Sequence, residues 1–222
     1  MSSLPHAAPE IRTDVTFERT MLDEHSWVDV ARGWLQNADI LRDSVLEHGS
    51  FTQSRLFRYE RYVDEPRLGM WCRPPQVPDP ALLEIQRTIT ARYRVRFDEG
   101  FALAWYRDGR DSVAFHRDRD MRWLDDTVIA ILTLGARRPF LLRPRSNRYA
   151  HDLPAKGATH DLAPASGDLL VMGGACQAGW EHSVPKIDRP VGARVSAQWR
   201  WTSRRGRQEI GGSYRKPRHF SR

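Results

Sequence analysis

Residues 100–118 read GFALAWYRDGRDSVAFHRD, from Gly100 to Asp118. The first part, Phe101–Tyr106, is a short apolar and aromatic run of the kind that forms a strand. Asp108-Gly109 is a turn signal, and Ser112–His116 is a second strand candidate. The stretch ends in His116-Arg117-Asp118. On a strand, side chains two apart share a face, so one strand end can present an imidazole and a carboxylate to the same ion. Such a pair also arises by chance, with the His in a core or on a surface and the Asp forming a turn, and alone it decides nothing.

Further short β-rich runs follow: Val128–Leu134, Phe140–Arg143, Asp168–Met172 and Arg194–Thr202, set apart by Gly, Pro, Asn and Asp. Many short strands in half a chain predict a sandwich or jelly roll. Segment 144–166 is polar and turn-rich, and reads as a long loop or irregular hairpin. In the last strand Arg194, Ser196, Gln198 and Arg200 alternate with Val195, Ala197, Trp199 and Trp201, so two arginines share a face. An inward-facing arginine needs an anion, and a carboxylate matches its planar fork. The alternative is that this face is solvent. A third metal ligand is available in His182, beyond the Gly173-Gly174 turn. Two histidines and a carboxylate, with positions left open, suit a non-haem Fe(II) oxygenase.

Before residue 100 the reading is more helical. Trp27, Val30, Trp34, Ile40, Leu41, Val45 and Leu46 recur at mostly three-to-four residue steps, which predicts a helix from Asp23 to about His48 with a break at Gly33. A second helix is predicted from Pro80 to about Tyr93, with Asp79 as its cap and Leu82, Leu83, Ile85 and Ile89 inward. Between them Arg55–Trp71 reads as extended or irregular, mixing arginines and aromatics.

The chain has 222 residues with 40% hydrophobic residues, enough for one domain. No apolar run approaches the roughly 18 residues of a membrane span, and no secretory leader is visible. The two cysteines, Cys72 and Cys176, lack CxxC spacing and read as reduced thiols in a cytoplasmic protein. The net charge of +7 is uneven: segment 203–222 holds seven Lys/Arg against one Glu. Such a tail is either a phosphate-binding element or a solvated end. The expected organisation is a loose N-terminus (1–15), a single domain (16–202) and a basic flexible tail (203–222).

These residues resemble the AlkB-type nucleic-acid dealkylases. The likeness runs from about Tyr106 to Arg200 and weakly back to Trp27. It rests on Tyr106–Asp118, on Val128–Gly135, on Gly167–Gly174 leading to Trp180-Glu181-His182-Ser183-Val184-Pro185-Lys186, and on Arg194 and Arg200, six apart. The resemblance implies a mainly β fold with N-terminal helices: a double-stranded β-helix (jelly-roll) core at 100–202, with helices and a nucleotide-recognition lid at 16–99. It implies Fe(II) on His116, Asp118 and His182, which are also the catalytic residues. It implies 2-oxoglutarate as co-substrate on Arg194 with Tyr106, and Arg200 near the metal end. Asp120 matches a position that reads the damaged base in some members, or is a surface carboxylate. Trp71 is a candidate base-stacking residue or a core tryptophan, and Trp180 lines the pocket or the core. Two family asparagines are replaced, by Ala104 and Ser196, which puts co-substrate affinity in question. The implied reaction is O2-dependent demethylation of 1-methyladenine or 3-methylcytosine in DNA or RNA, single-stranded or with the base flipped, by a monomer with no membrane association. A 2-oxoglutarate oxygenase acting on another substrate, or a non-catalytic nucleic-acid-binding relative, are the alternatives.

Overall fold

The computed structural model describes residues 8–58, 60–97, 99–145 and 158–209. The N-terminal part begins with β1 (Glu10–Ile11), β2 (Glu18–Met21), β3 (Ser26–Ala31) and β4 (Leu35–Gln36), followed by helix α1 (Ala38–His48). The helix predicted from Asp23 is thus helical only in its second half. Ser26–Ala31 is a strand buried on both faces, and its inward Asp29 explains how. The Asp29 carboxylate accepts two bonds from Arg19, at 2.7 and 2.8 Å, and one from the Tyr93 hydroxyl at 2.9 Å. With its charge so paired, Asp29 can sit in a buried strand. Gly33, at φ +60°, then turns the chain toward α1 in a conformation few other residues adopt.

Next come a hairpin, β5 (Arg55–Arg58) with β6 (Arg61–Asp64), then β7 (Leu68–Cys72) and α2 (Ala81–Tyr93). The Asp79 carboxylate accepts the Ala81 N–H at 2.8 Å, as expected of a cap. Leu82, Ile85 and Ile89 form the buried face of α2.

The remaining strands are β8 (Phe101–Tyr106), β9 (Val113–His116), β10 (Thr127–Gly135), β11 (Leu141–Pro144), β12 (His160–Asp161), β13 (Leu169–Gly174), β14 (Trp180–Val184) and β15 (Arg194–Thr202). A short helix, α3 (Cys176–Gly179), precedes β14. They form a seven-stranded sheet in the order β2-β3-β13-β10-β15-β8-β7 and a four-stranded sheet in the order β12-β11-β14-β9, all pairs antiparallel. Strand β14, which carries His182, has only two apolar residues, Trp180 and Val184, and is not among the predicted strands.

The large sheet is buried on both faces, with a strict period of two. Val128, Ala130, Leu132, Val195, Ala197 and Trp199 pack against α1 and α2 in one core. Ile129, Ile131, Leu170, Met172, Ala104 and Tyr106 face the small sheet in a second core. Cross-strand pairing puts Arg194 beside Tyr106, Ser196 beside Ala104, and Gln198 beside Ala102 on that second face. The arginine face of β15 is therefore interior.

One buried side chain fastens the small sheet. Arg138 is 1% exposed, and its guanidinium donates to the carbonyls of Asp108, Asp111 and Pro185 at 2.7–2.9 Å.

Candidate metal centre

His116 ends β9 and lies directly across from His182 in β14, so the sheet alone brings the two rings together, with centroids 4.2 Å apart. Asp118 follows His116 by two residues, and its Oδ1 is 3.6 Å from His116 Nε2. A ligand atom from each of the three lies within 4.8 Å of the others. Among the described residues this is the group that could hold a metal.

The protonation states suit that purpose. His116 Nδ1 sits 2.9 Å from the Ala114 carbonyl oxygen, which can only accept, so the proton is on Nδ1 and the Nε2 lone pair is free. Burial pushes the His182 imidazole down to about 3, helped by His116 and opposed by Asp118, so the ring is neutral at pH 7. Its Nδ1 is buried without a hydrogen-bond partner. Burial would raise the Asp118 carboxyl, but Arg200, His182 and His116 outweigh it and hold the group ionised. Arg200 Nε donates to Asp118 Oδ2 at 2.9 Å, and its NH2 group donates to Gln198. Two neutral imidazoles and one carboxylate form a donor set that fits Fe(II).

Arg194 provides the second half of the site. It is fully buried, and among the described residues its Nε and NH2 groups reach only the hydroxyls of Ser196 (3.2 Å) and Thr133 (3.3 Å). Its NH1 group has no partner. Burial, with Tyr106 opposing and Arg138 adding to it, pushes the guanidinium down to about 10, so at pH 7 it remains a buried cation with no paired anion among the described residues. A carboxylate of 2-oxoglutarate is the kind of group that removes this deficit. The Ser196 hydroxyl accepts from Arg194, and Ala104 is its cross-strand neighbour.

Arg67 was not anticipated. It precedes β7, donates from NH1 to the Tyr106 hydroxyl at 3.3 Å, and pairs with Glu65 at 3.4 Å. Burial works against its charge, but Tyr106, Glu65 and Asp118 outweigh it. Arg67 lies one residue outside β7 and carries no motif of its own. Gln177 was also missed; it is fully buried, and its Oε1 accepts the Asp118 backbone N–H at 2.9 Å.

Trp71 is 49% exposed and sits opposite Ala102, on the sheet face that holds Arg194 and Arg200. Asp120 is exposed, in a single 3-10 turn (Arg119–Met121) just after the ligand pair. Trp180 is buried and donates to Asp23 at 2.6 Å, as a core aromatic does. Arg143 pairs with Glu181 at 3.2 Å and covers the Phe115 ring at 3.7 Å. Residues 203–209 lie along 122–126, and the rest of the expected tail lies outside the described residues, as does Arg148. Among the described residues, no helix is long and apolar enough to cross a membrane.

Comparison with known proteins agrees with this geometry. A profile of the family described as the 2OG-Fe(II) oxygenase superfamily matches residues 46–210. The chain is 28% identical over 177 residues to the mouse protein named alpha-ketoglutarate-dependent dioxygenase alkB homolog 3, covering 75% of this chain and 62% of that one. It is 30% identical over 143 residues to the Arabidopsis thaliana protein named DNA oxidative demethylase ALKBH2, covering 54% and 43%. The chain thus spans about three-fifths or less of the length of these relatives. Among solved structures, a prolyl hydroxylase from Trichoplax adhaerens superposes with a TM-score of 0.56 at 14% identity, covering 78% of this chain and 83% of that one. A Pseudomonas putida prolyl-4-hydroxylase superposes with a TM-score of 0.50 at 19% identity, covering 81% and 93%. At these identities the two structures share the fold alone.

Proposed function

Because the chain belongs to the 2OG-Fe(II) oxygenase superfamily, with Fe(II) and 2-oxoglutarate as its cofactor and co-substrate, we propose that it removes alkyl groups from nucleobases by oxidation. The observation that carries this reading is Trp71: a half-exposed tryptophan on the same sheet face as Arg194 and as Arg200, which pairs with Asp118 of the ligand triad. An aromatic face at that position suits a base taken out of its stack. The alkB homolog 3 and ALKBH2 likenesses support it.

In this reading His116, Asp118 and His182 hold the metal. Arg194 binds the distal carboxylate of 2-oxoglutarate, with the Tyr106 hydroxyl beside it. Arg200 keeps Asp118 ionised and oriented. Bound iron, with O2 and 2-oxoglutarate, supplies the oxidant that turns an N–CH3 group into N–CH2OH while 2-oxoglutarate becomes succinate and CO2. The hemiaminal then breaks its C–N bond, releasing formaldehyde and the unmodified base. Trp71 stacks on the base, and Asp120 accepts from its amino edge. Arg145 and the cations of the tail attract the phosphate backbone, while Arg143 is committed to Glu181 and Phe115.

The test uses protein loaded with Fe(II), 2-oxoglutarate and O2, and single-stranded oligonucleotides carrying 1-methyladenine or 3-methylcytosine, followed by mass. Loss of the methyl mass that disappears in His182→Ala is the expected result. Consumption of 2-oxoglutarate with no change in either oligonucleotide would overturn the nucleobase reading and leave the iron site standing.

A further inference from the structure

We propose that residues 203–209 act as a strap that positions the Asp118 ligand, working through Glu209, Arg117 and Gln177. The strap is laid against the loop that follows the ligand pair. Ser203 N–H donates to the Asp126 carbonyl at 3.0 Å, Gln208 forms a bridge with Trp123, and Glu209 N–H donates to the Arg122 carbonyl at 2.6 Å. This places the Glu209 carboxylate 3.2 Å from Arg117 NH2.

Arg117 is the residue between the two ligands His116 and Asp118. Because they turn toward the metal, it turns the other way, and it is only 7% exposed. A buried guanidinium needs a counter-ion, and Glu209 supplies one. The other arm, NH1, donates to the Gln177 and Ala178 carbonyls at 3.4 Å each. Gln177 in turn holds the Asp118 N–H through its own side chain. The strap, Arg117, helix α3 and the ligand backbone thus form one closed chain of polar contacts. A cleft of about 350 Å³ between the strap and α3 is lined by Arg117, Leu124, Asp125, Ala178, Arg207 and Glu209. The ion pair links the strap to the residue between the two ligands. Glu209, Arg117 and Gln177 are positioning residues, since none touches the reacting atoms. This inference rests on the metal site and is independent of the substrate.

The experiment is a Co(II) titration of the metal-free, full-length protein, read by visible absorption, for the parent and for Glu209→Gln, Gln177→Leu, Arg117→Met and the Glu209→Gln/Arg117→Met double variant. Partners that orient metal ligands typically contribute tenfold or more to affinity. Glu209→Gln and Gln177→Leu should each weaken Co(II) binding by about tenfold, and the double variant should bind no more weakly than Arg117→Met alone. Glu99→Gln, which breaks only the exposed Arg204–Glu99 pair at 2.6 Å, serves as the control and should bind like the parent. Circular dichroism establishes that each variant is folded. A folded Glu209→Gln protein that binds Co(II) within about twofold of the parent would overturn the strap, as would full additivity in the double variant. A parent that binds no Co(II) would overturn the metal site itself.

Discussion

Arg194→Met separates a ligand-binding arginine from a structural one by the sign of its effect. In the unliganded protein the guanidinium is pushed down to about 10 from its ordinary value, mainly by burial, which corresponds to roughly 3 kcal/mol of unfavourable burial of the charge. Methionine fills nearly the same volume without the charge. Against that gain, the Ser196 and Thr133 hydroxyls each lose a partner, at about 1 kcal/mol apiece. The unliganded variant should therefore melt at the parent temperature or up to about 4 °C above it. The liganded comparison runs the other way. With Mn(II) present and 2-oxoglutarate at a hundred times its Kd, the parent should gain about 2.7 kcal/mol, or roughly 5–10 °C in a protein of this size. The variant should gain at most about 0.9 kcal/mol, or roughly 2–4 °C, and its KM for 2-oxoglutarate should rise about 30-fold or more, because a buried charge pair truncated on one side costs at least about 2 kcal/mol. Thermal unfolding with and without 2-oxoglutarate, and steady-state kinetics, check both halves. A variant that melts well below the parent yet keeps the full 2-oxoglutarate shift would show that Arg194 is a structural residue, and the reasoning would fail.

Three other outcomes are expected. The metal-free protein should lose stability on acidification: His182 is pushed down to about 3 when folded against about 6.5 unfolded, so its contribution is complete above pH 6.5 and is lost as the pH falls through that window, at roughly 1–2 kcal/mol by pH 5; thermal melts at pH 7 and pH 5 measure it, and the slope should shrink in His182→Gln. Trp71→Ala should raise KM for a methylated oligonucleotide about tenfold, the scale of one base–aromatic stack, while the KM for 2-oxoglutarate and the melting temperature stay put; a parallel rise in both KM values would refute the stacking role. Truncation after Glu209, which keeps the strap and removes Arg215, Lys216, Arg218 and Arg222, should lower the slope of log affinity against log salt by up to about 3 for single-stranded DNA; an unchanged slope would exclude the tail from phosphate binding.

Much of the site was readable because strand alternation is local. Arg194–Thr202 carries its two faces in plain order, and the period of two that aims Arg194 and Arg200 inward is the same period that buries Val195, Ala197 and Trp199. His116 and Asp118 were readable for the same reason. What was not readable depended on distant partners. Ser26–Ala31 looks helical because Trp27, Val30 and Trp34 fall at helical steps, and Asp29 looks like a surface residue until Arg19 and Tyr93 arrive to pair with it. Strand β14 was hidden because only two of its five residues, Trp180 and Val184, are apolar, and its pairing with β9 and β11 is entirely non-local. Arg67 and Gln177 carry no motif of their own, and only the assembled sheets bring them to Tyr106 and Asp118.

The Arg138 guanidinium has a mechanical consequence. Asp108 and Asp111 lie in the turn that leads into the His116 strand, and Pro185 lies just past the end of the His182 strand, so one rigid planar group closes the far ends of both. Neither histidine strand can peel away while that closure holds. Native-state hydrogen exchange should find the amides of Val113–His116 and Trp180–Val184 opening together as one cooperative unit, with a common free energy. The two imidazoles would then be gained and lost as a pair, so that local breathing never leaves a single histidine on the metal.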